Sequence, residues 1–295
     1  MNECLQAWLR AVTGAQARGY VRMSGSSSTT LWRVEVGGER LVLRVHDNSD
    51  WLRAEPDLVL HEVAALQLAC DAGLPAPEPV AWDAEGAFCG LPLLLMSWLP
   101  GKVLLRPASM DDWLRQQAQA LVDIHRLTAH DLTWDWFSWA QPDLEVPAWS
   151  EVPQAWERAI AFIAGEPPPA PRCLVHRDYH PVNLLWRGQT LSAVVDWVNA
   201  CRGVAAVDLA HCRGNLIALY GPEAADRFLQ HYRRAGGADH GDMAWWDLMC
   251  LAECLPGPPE VYPGWVPFGV RNITREMLCA RLEAHLLAVL RQLPE

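Results

Sequence analysis

Residues 176–183 read His-Arg-Asp-Tyr-His-Pro-Val-Asn, and they directly follow the short apolar segment 173–175. A second apolar segment, 184–186, comes next, and a third, 193–195, ends at Asp196. Segments of this length and composition are typical of short buried strands, and residues 187–189 provide a turn between the last two. We therefore expect short strands that deliver carboxylate and amide groups at their ends, namely Asp178, Asn183 and Asp196.

These residue types at these spacings point to phosphoryl transfer. That reaction needs a carboxylate that orients a hydroxyl and accepts its proton, plus an amide and a second carboxylate that hold magnesium on the phosphates. The spacing H-x-D-x-x-x-x-N and the downstream Asp match the catalytic loop and the metal-binding Asp of kinases. The alternative is a polar loop in which Asp178 and Asn183 only form turns. The complete constellation favours the catalytic interpretation.

The chain resembles the aminoglycoside phosphotransferase and choline kinase superfamily, the small-molecule branch of the protein-kinase-like fold. The resemblance rests on His180, two residues after Asp178, and on Asp196-Trp197-Val198 in place of Asp-Phe-Gly. It implies an α+β, two-lobed fold with a small antiparallel-sheet N-lobe and a mainly helical C-lobe. It also implies that ATP or GTP, with Mg²⁺, donates its γ-phosphate to a hydroxyl of a small molecule.

The resemblance assigns roles to individual residues. Asp178 corresponds to the catalytic base, and Asn183 and Asp196 correspond to the magnesium ligands. His176 corresponds to a residue that packs the loop and hydrogen-bonds it in shape. Asp208 corresponds to a structural Asp that braces the loop from the following helix.

The N-lobe is expected to hold the nucleotide. Residues 23–30 read MSGSSSTT between two predicted strands. Backbone N–H groups and hydroxyls in such a turn can cradle phosphates, so Ser26, Ser27 and Ser28 are candidate phosphate contacts. An ordinary polar hairpin loop has the same composition, and this alternative stays open.

The third predicted strand departs from the family pattern. Kinases carry a Lys there that pairs with the phosphates and with a Glu of the next helix. This sequence has Arg44 and Glu62 at those places, and it contains one Lys among 24 Lys and Arg residues. Arg keeps the charge but presents a longer, planar fork. Three alternatives follow: a retained phosphate anchor, a pseudokinase that binds nucleotide or a partner without turnover, or an Arg44 exposed on a strand edge.

The expected domains are an N-lobe at residues 1–96, a linker at 97–101 and a C-lobe at 102–295 with the catalytic loop and the acceptor-binding helices. Met96 and Trp98, at the end of a buried strand and in the linker, are further candidate nucleotide contacts. Periodicity predicts strands near 20–23, 30–36, 40–46 and 91–96, and Gly37-Gly38 is the predicted hairpin turn between the second and third of them. It predicts helices near 3–12, 57–72, 110–126, 154–164, 207–220, 222–235, 243–254 and 274–293.

Composition limits the partners and the compartment. The net charge of −11 argues against nucleic acid, and the chain has no apolar run long enough for a membrane span. The N-terminus lacks the basic start of a signal peptide, and the nine cysteines form no Cys-x-x-Cys pair. We therefore expect reduced thiols and a cytoplasmic enzyme, either a monomer or a homodimer.

The resemblance implies that the acceptor is a small molecule with a hydroxyl, and an amine on it is one alternative. Tryptophans cluster at 134–139 and 245–246, and together with Asp135 or Glu253 they can bind an ammonium through cation–π and ionic contacts. These tryptophans are equally compatible with a plain core. A protein substrate is disfavoured, because no activation segment follows Asp196.

Overall fold

The computed structural model describes residues 1–23, 28–140, 143–238 and 243–293. The chain divides into two compact units. The first comprises Met1–Lys102, Leu185–Arg187 and Ser192–Ala200, and the second comprises Val103–Leu184, Gly188–Leu191 and Cys201–Glu295. Ser26 and Ser27, predicted to contact phosphate, lie outside the described residues.

The first unit is built on an antiparallel sheet. Its elements are α1 (Glu3–Thr13), β1 (Ala17–Arg22), β2 (Thr30–Val36), β3 (Glu39–Val45), α2 (Ser49–Ala54), α3 (Leu58–Asp71), β4 (Pro79–Asp83) and β5 (Leu93–Ser97). The strand order is β1-β2-β3-β5-β4, and every neighbouring pair is antiparallel. Arg44 therefore lies on an interior strand, so the strand-edge alternative for this residue is wrong.

The hairpin between β2 and β3 turns at Gly37 and Gly38, as predicted. Both glycines have positive φ, 62° and 90°, which the tight turns that match the twist of two antiparallel strands require. Val36 pairs with Glu39 across the turn, and this fixes the register of the whole hairpin. The register in turn sets the direction of the Arg44 side chain.

Helix α1 covers one face of this sheet. Leu5, Trp8 and Leu9 recur at helical spacing and pack with the inward residues of β2, β3 and β5. Asn2 caps the helix by accepting a hydrogen bond from the backbone N–H of Leu5 at 2.9 Å. The helix is thus fixed at its start by a cap and along its length by the core.

One cysteine pair differs from the expectation of reduced thiols. Cys4 of α1 is disulfide-bonded to Cys89, which lies between β4 and β5, whereas the other seven cysteines are free. The expectation is therefore wrong for this pair. The two residues are 85 positions apart, and nothing in their sequence spacing indicates that they meet.

The second unit is mainly helical. It contains α4 (Met110–His125), α5 (Pro153–Ile163), α6 (Ala206–Tyr220), α7 (Pro222–Arg234), α8 (Met243–Ala252) and α9 (Arg275–Leu290), together with the antiparallel pair β7 (Arg172–Val175) and β10 (Cys201–Val204). Helix α6 packs on α7, α8 and α9. The predicted fold class, an antiparallel sheet followed by a mainly helical region, is confirmed.

The three remaining strands are β6 (Lys102–Val103), β8 (Leu184–Arg187) and β9 (Thr190–Val194), and they form a sheet of order β6-β8-β9. The turn between β8 and β9 lies at Gly188, as predicted, with φ of 63°. None of the helices in the described part of the chain combines the length and apolar character that a membrane span needs.

Four short elements were not predicted: α2, β4, β6 and β10. A six-residue helix or a two-residue strand carries too few residues for a periodic pattern, so tertiary contacts decide whether it forms. Strand β4 begins at Pro79, which suits the first position of an edge strand because proline has no N–H to donate.

Candidate functional site

Residues 176–183, predicted to be the catalytic loop, lie in the second unit, follow β7 and end in a 3₁₀ turn at Pro181–Asn183. The structure brings Asp178 and Asn183 together. The Asn183 amide Nδ2 donates to the backbone carbonyl of Asp178 and to its Oδ2, both at 2.9 Å. Because the amide nitrogen is used in this way, the amide oxygen of Asn183 is the group of this side chain that remains for a ligand.

Two histidines approach the other oxygen of the same carboxylate. His211 Nε2 lies 3.2 Å from Asp178 Oδ1, and His180 Nε2 lies 3.5 Å from it. Burial raises the pKa of Asp178, but the nearby His180 and His211 outweigh it and hold the pKa well below its usual range. The carboxylate is therefore ionised at neutral pH and can accept hydrogen bonds only.

Asp208 holds the backbone of the loop from the first turn of α6. Its Oδ2 accepts from the N–H of His176 at 2.7 Å and its Oδ1 from the N–H of Arg177 at 2.6 Å. His125 Nε2 lies 3.1 Å from Oδ2. Burial raises the pKa of Asp208, but the hydrogen bond and charge of His125, together with the side chain and backbone N–H of His176, favour the anion, and the net pKa is lowered. This is the geometry expected of a brace.

Two residues other than glycine have positive φ among the described residues, Arg177 and Asp196, both at 67°. Left-handed backbone in such residues costs free energy and tends to occur where a site imposes it. At Arg177 two interactions offset this cost. Its guanidinium carbon lies 4.0 Å and 3.8 Å from the ring centroids of Phe137 and Trp139, and its Nη2 donates to the Phe137 carbonyl at 2.7 Å.

A cavity of about 20 Å³ lies beside the catalytic loop, a volume that accommodates roughly one water. Its lining includes Trp136, Trp139, Arg177, His211, Trp246 and Glu253. The aromatic face of Trp139, one of the tryptophans predicted to bind an amine, is already stacked on the Arg177 guanidinium, as is the ring of Phe137. Sequence reasoning missed both Arg177 and His211 as parts of this site.

The two carboxylates that were predicted to bind an amine already have other hydrogen-bond or ion-pair partners. Glu253 Oε1 accepts from the Trp139 N–H at 3.1 Å and from Ser138 Oγ at 3.3 Å. Asp135 forms ion pairs with Arg172 and Arg202 at 2.9 and 2.7 Å. The alternative of an amine-bearing acceptor therefore gains no support from these two side chains.

In the first unit, Arg44 bridges two carboxylates. Its Nε lies 3.2 Å from Glu62 Oε2 and its Nη2 lies 2.8 Å from Asp196 Oδ1. Arg44 and Glu62 are 4% and 1% exposed, so the solvated alternative for this pair is wrong. Burial lowers the pKa of Arg44, but Glu62 and Asp196 outweigh it and raise the pKa. Burial raises the pKa of Glu62 to about 7, against the opposing effect of Arg44.

The other predicted nucleotide contacts lie in the same unit. Met96 is buried on β5, where it pairs with Val42 of β3. Trp98 is half-buried, and the guanidinium carbon of Arg33 lies 5.7 Å from its ring centroid. Ser28 is half-buried just before β2.

Gly101, in the predicted linker, permits a close approach of the chain to β8. A Cβ at this position would lie 2.8 Å from both Leu185 Cβ and Ser192 Oγ, and φ is 158°. The linker backbone at this point therefore requires glycine.

A replacement of Arg44 tests its part in nucleotide binding. We expect Arg44→Ala to weaken ATP binding about 10–100-fold, because a hydrogen bond to a charged group contributes about 1.5–3 kcal/mol. Arg44→Lys is expected to reduce the ATP affinity less, because lysine keeps the positive charge and an N–H donor. Titration calorimetry with ATP measures both. Arg40→Ala, an exposed arginine on the same strand, is the control; equal affinity of wild type and Arg44→Ala would exclude the anchoring role.

Metal ligands are not evident as a preformed cluster. In the ranges that the structure describes, no group of three or more His, Cys, Asp or Glu side chains is arranged to hold a metal ion. Magnesium does not need one, because it keeps several waters and binds one or two protein oxygens together with substrate phosphates. The carboxylate of Asp196 and the amide oxygen of Asn183 are oxygen donors of the kind it prefers.

Comparison with known proteins gives a consistent family. A family model described as "Phosphotransferase enzyme family" matches residues 21–246. The homoserine kinase of Methylobacterium nodulans is 29% identical over 54% of this chain and 53% of its own length. The chain spans about half the length of the curated relatives it matches.

Solved structures agree with the fold. A thermostable mutant of aminoglycoside phosphotransferase APH(4)-Ia, in a ternary complex with AMP-PNP and hygromycin B, superposes with a TM-score of 0.65 at 16% identity over 97% of this chain and 98% of that one. The macrolide 2'-phosphotransferase MphH of Brachybacterium faecium gives 0.58 at 18% identity over 88% and 100%. At sequence identities this low, the similarity to these structures supports the fold and nothing beyond it.

Proposed function

The chain belongs to the phosphotransferase enzyme family, and from that premise we propose that it transfers the γ-phosphate of ATP or GTP to a hydroxyl of a small molecule. The observation that carries the proposal is the ionised carboxylate of Asp178, held by Asn183 on one oxygen and approached by His211 and His180 on the other. A fixed anion of this kind orients a hydroxyl and receives its proton.

The proposed phosphoryl transfer breaks two bonds and forms two. The acceptor O–H bond breaks and its proton passes to the Asp178 carboxylate, while the acceptor oxygen forms the new bond to the γ-phosphorus. The bond from that phosphorus to the bridging oxygen breaks, and its electron pair leaves on the nucleoside diphosphate. Because the transition state of such transfers is loose, positioning of the hydroxyl contributes more than strong basicity. A carboxylate with a lowered pKa is compatible with that requirement.

The nucleotide is assigned to the N-lobe, residues 1–96, and to the linker 97–101. We propose that Arg44 binds the phosphates while Glu62 holds its guanidinium, and that the Ser26–Ser28 turn, Met96 and Trp98 complete the site. The pseudokinase alternative rested on Arg44 in place of Lys. Arg44 is buried and paired with Glu62 in the manner that the usual Lys requires, which supports an active enzyme.

Magnesium is assigned to Asn183 and Asp196. When bound there, the ion neutralises negative charge on the transferring phosphates. Asp196 brings a carboxylate and Asn183 an amide oxygen, and Arg44, which contacts Asp196, supplies further positive charge. The C-lobe, residues 102–295, is proposed to bind the acceptor.

The acceptor and the setting are also proposals. The relatives named homoserine kinase support a small hydroxyl compound as the acceptor. A cytoplasmic location stays a proposal, and the Cys4–Cys89 disulfide is the feature that stands against it.

The primary test is a transfer assay with γ-labelled ATP and Mg²⁺, using L-homoserine, hygromycin B and a macrolide as first acceptors and a metabolite library after them. We expect label to pass from ATP to at least one hydroxyl compound in wild type. The Asp178→Asn variant is the negative control for transfer. Nucleotide binding in a thermal-shift assay without any transfer across the library would favour the pseudokinase instead.

A metal prediction follows from the two oxygen donors. Asp196→Ala is expected to remove the magnesium-dependent tightening of ATP binding, and Asn183→Ala to weaken it less. A carboxylate balances the charge of the metal, whereas an amide contributes only a dipole. Calorimetry with and without Mg²⁺ measures the difference. The same magnesium effect in wild type and in Asp196→Ala would refute the assignment.

A further inference from the structure

Helix α6 presents two residues one turn apart to the catalytic loop. Asp208 accepts the backbone N–H groups of His176 and Arg177, as described above, and His211 points to the side chain of Asp178. One rigid helix thus contacts both the backbone that carries Asp178 and its carboxylate. Sites built on helices hold their groups more precisely than sites on loops.

The position of the hydrogen atom between His211 Nε2 and Asp178 Oδ1 follows from which of the two groups can donate. An ionised carboxylate has no hydrogen to donate, so Nε2 of His211 must carry it for a bond to Asp178 Oδ1. The amide of Asn215, 3.3 Å from the same Nε2, then donates instead to the backbone carbonyl of His211 at 3.1 Å. Burial lowers the pKa of His211, but the Asp178 contact outweighs it and raises the pKa, which agrees with this tautomer.

We infer that His211 is a positioning residue, which fixes the rotation of the Asp178 carboxylate by an Nε2–H donor to Oδ1 while Asn183 fixes Oδ2. A carboxylate oxygen accepts at about two lone-pair positions, so Oδ2, which accepts from Asn183, keeps one for the acceptor hydroxyl. His180 reaches the same Oδ1 at a longer 3.5 Å. The kinetic part of this inference rests on the proposed function, whereas the contact itself does not.

The kinetic test compares His211→Leu, which removes the donor, with His211→Gln, whose amide restores one. Two reactions are measured: phosphoryl transfer from Mg–ATP to L-homoserine, and hydrolysis of Mg–ATP by water. In both, we expect His211→Leu to lower kcat about 10–100-fold without changing KM for ATP. We expect His211→Gln to recover part of the loss. In an Asp178→Asn background, His211→Leu should cause no further loss, because its effect passes through the carboxylate.

His231→Leu is the matched control. His231 on α7 also pairs with an Asp of the same unit, Asp111, at 3.0 Å, but outside the proposed site. We expect it to leave kcat unchanged. An unchanged kcat in His211→Leu, or an equal loss of kcat in His231→Leu or in the Asp178→Asn background, would overturn the inference.

A second readout does not depend on turnover. In the ¹⁵N-histidine NMR spectrum, we expect His211 to carry a hydrogen-bonded proton on Nε2 whose resonance moves in Asp178→Asn. A His211 Nε2 without this proton, or with a resonance that Asp178→Asn does not shift, would overturn the contact even in an active enzyme. If instead the NMR result is as expected and no transfer or hydrolysis occurs, the proposed function fails while the contact stands.

Discussion

Asp178→Asn is expected to lower turnover by about 10²–10⁴-fold, the usual contribution of a positioned base. Asn keeps the size of the side chain but replaces one acceptor oxygen with a donor. Asn183 and His211 donate to the two oxygens of Asp178, so one of these contacts must be lost in the mutant. The acceptor hydroxyl also loses the group that takes its proton.

The affinity for ATP is expected to stay unchanged in Asp178→Asn, because this carboxylate is proposed to act on the acceptor. Steady-state kinetics and calorimetry on the same preparation separate the two effects. Asp123→Asn, a partly exposed helix carboxylate that pairs with Arg126, is a matched acid-to-amide control. Wild-type turnover in Asp178→Asn would show that Asp178 is not the catalytic residue.

Asp208→Ala is expected to lower the free energy of unfolding by about 3 kcal/mol or more. The mutation leaves the backbone N–H groups of His176 and Arg177 without their carboxylate acceptor, and an unsatisfied buried donor costs about 1–3 kcal/mol. The catalytic loop would lose its brace at the same time, so turnover is expected to fall as well. Urea unfolding measures the stability change.

The loss of stability caused by Asp208→Ala is expected to depend on pH in one direction. Asp208 has a lowered pKa in the folded protein, so its contribution is present above the ordinary Asp pKa and is lost as the pH falls through the folded value. The stability gap between wild type and Asp208→Ala should therefore narrow in acid. Glu223→Ala, an exposed acid in the first turn of α7, should change stability by only about 0.5 kcal/mol. Equal stability of wild type and Asp208→Ala at neutral pH would contradict the bracing role.

Local sequence signals predicted much of the fold and the core of the site. Gly37 and Gly38 marked the hairpin because their φ requirement is local. The spacing of Asp178 and Asn183 placed both in one predicted loop, and the structure shows that their side chains are in contact. The later Asp208 was found by resemblance, and the structure places it against the loop backbone. The catalytic and metal roles of these residues stay predictions.

Other parts of the site depend on contacts between distant segments. His211 reaches Asp178 only because α6 packs beside the loop, and its one available signal was its place a single turn after Asp208. Arg177 stacks on Phe137 and Trp139, which lie about forty positions earlier in the chain. The Cys4–Cys89 bond had no sequence signal of its own. Such pairings follow from tertiary packing, which periodicity and spacing do not report.

The guanidinium of Arg44 has a consequence for chemical labelling. Reagents that acylate an amine beside the nucleotide phosphates depend on a lysine there, and an arginine, which stays protonated, does not react in that way. The sequence has a single lysine, Lys102, and it is not at the Arg44 position. If Arg44 binds the phosphates as proposed, acyl-phosphate nucleotide probes are expected to leave this position unlabelled. For the same reason, lysine acetylation cannot switch off the charge that Arg44 provides.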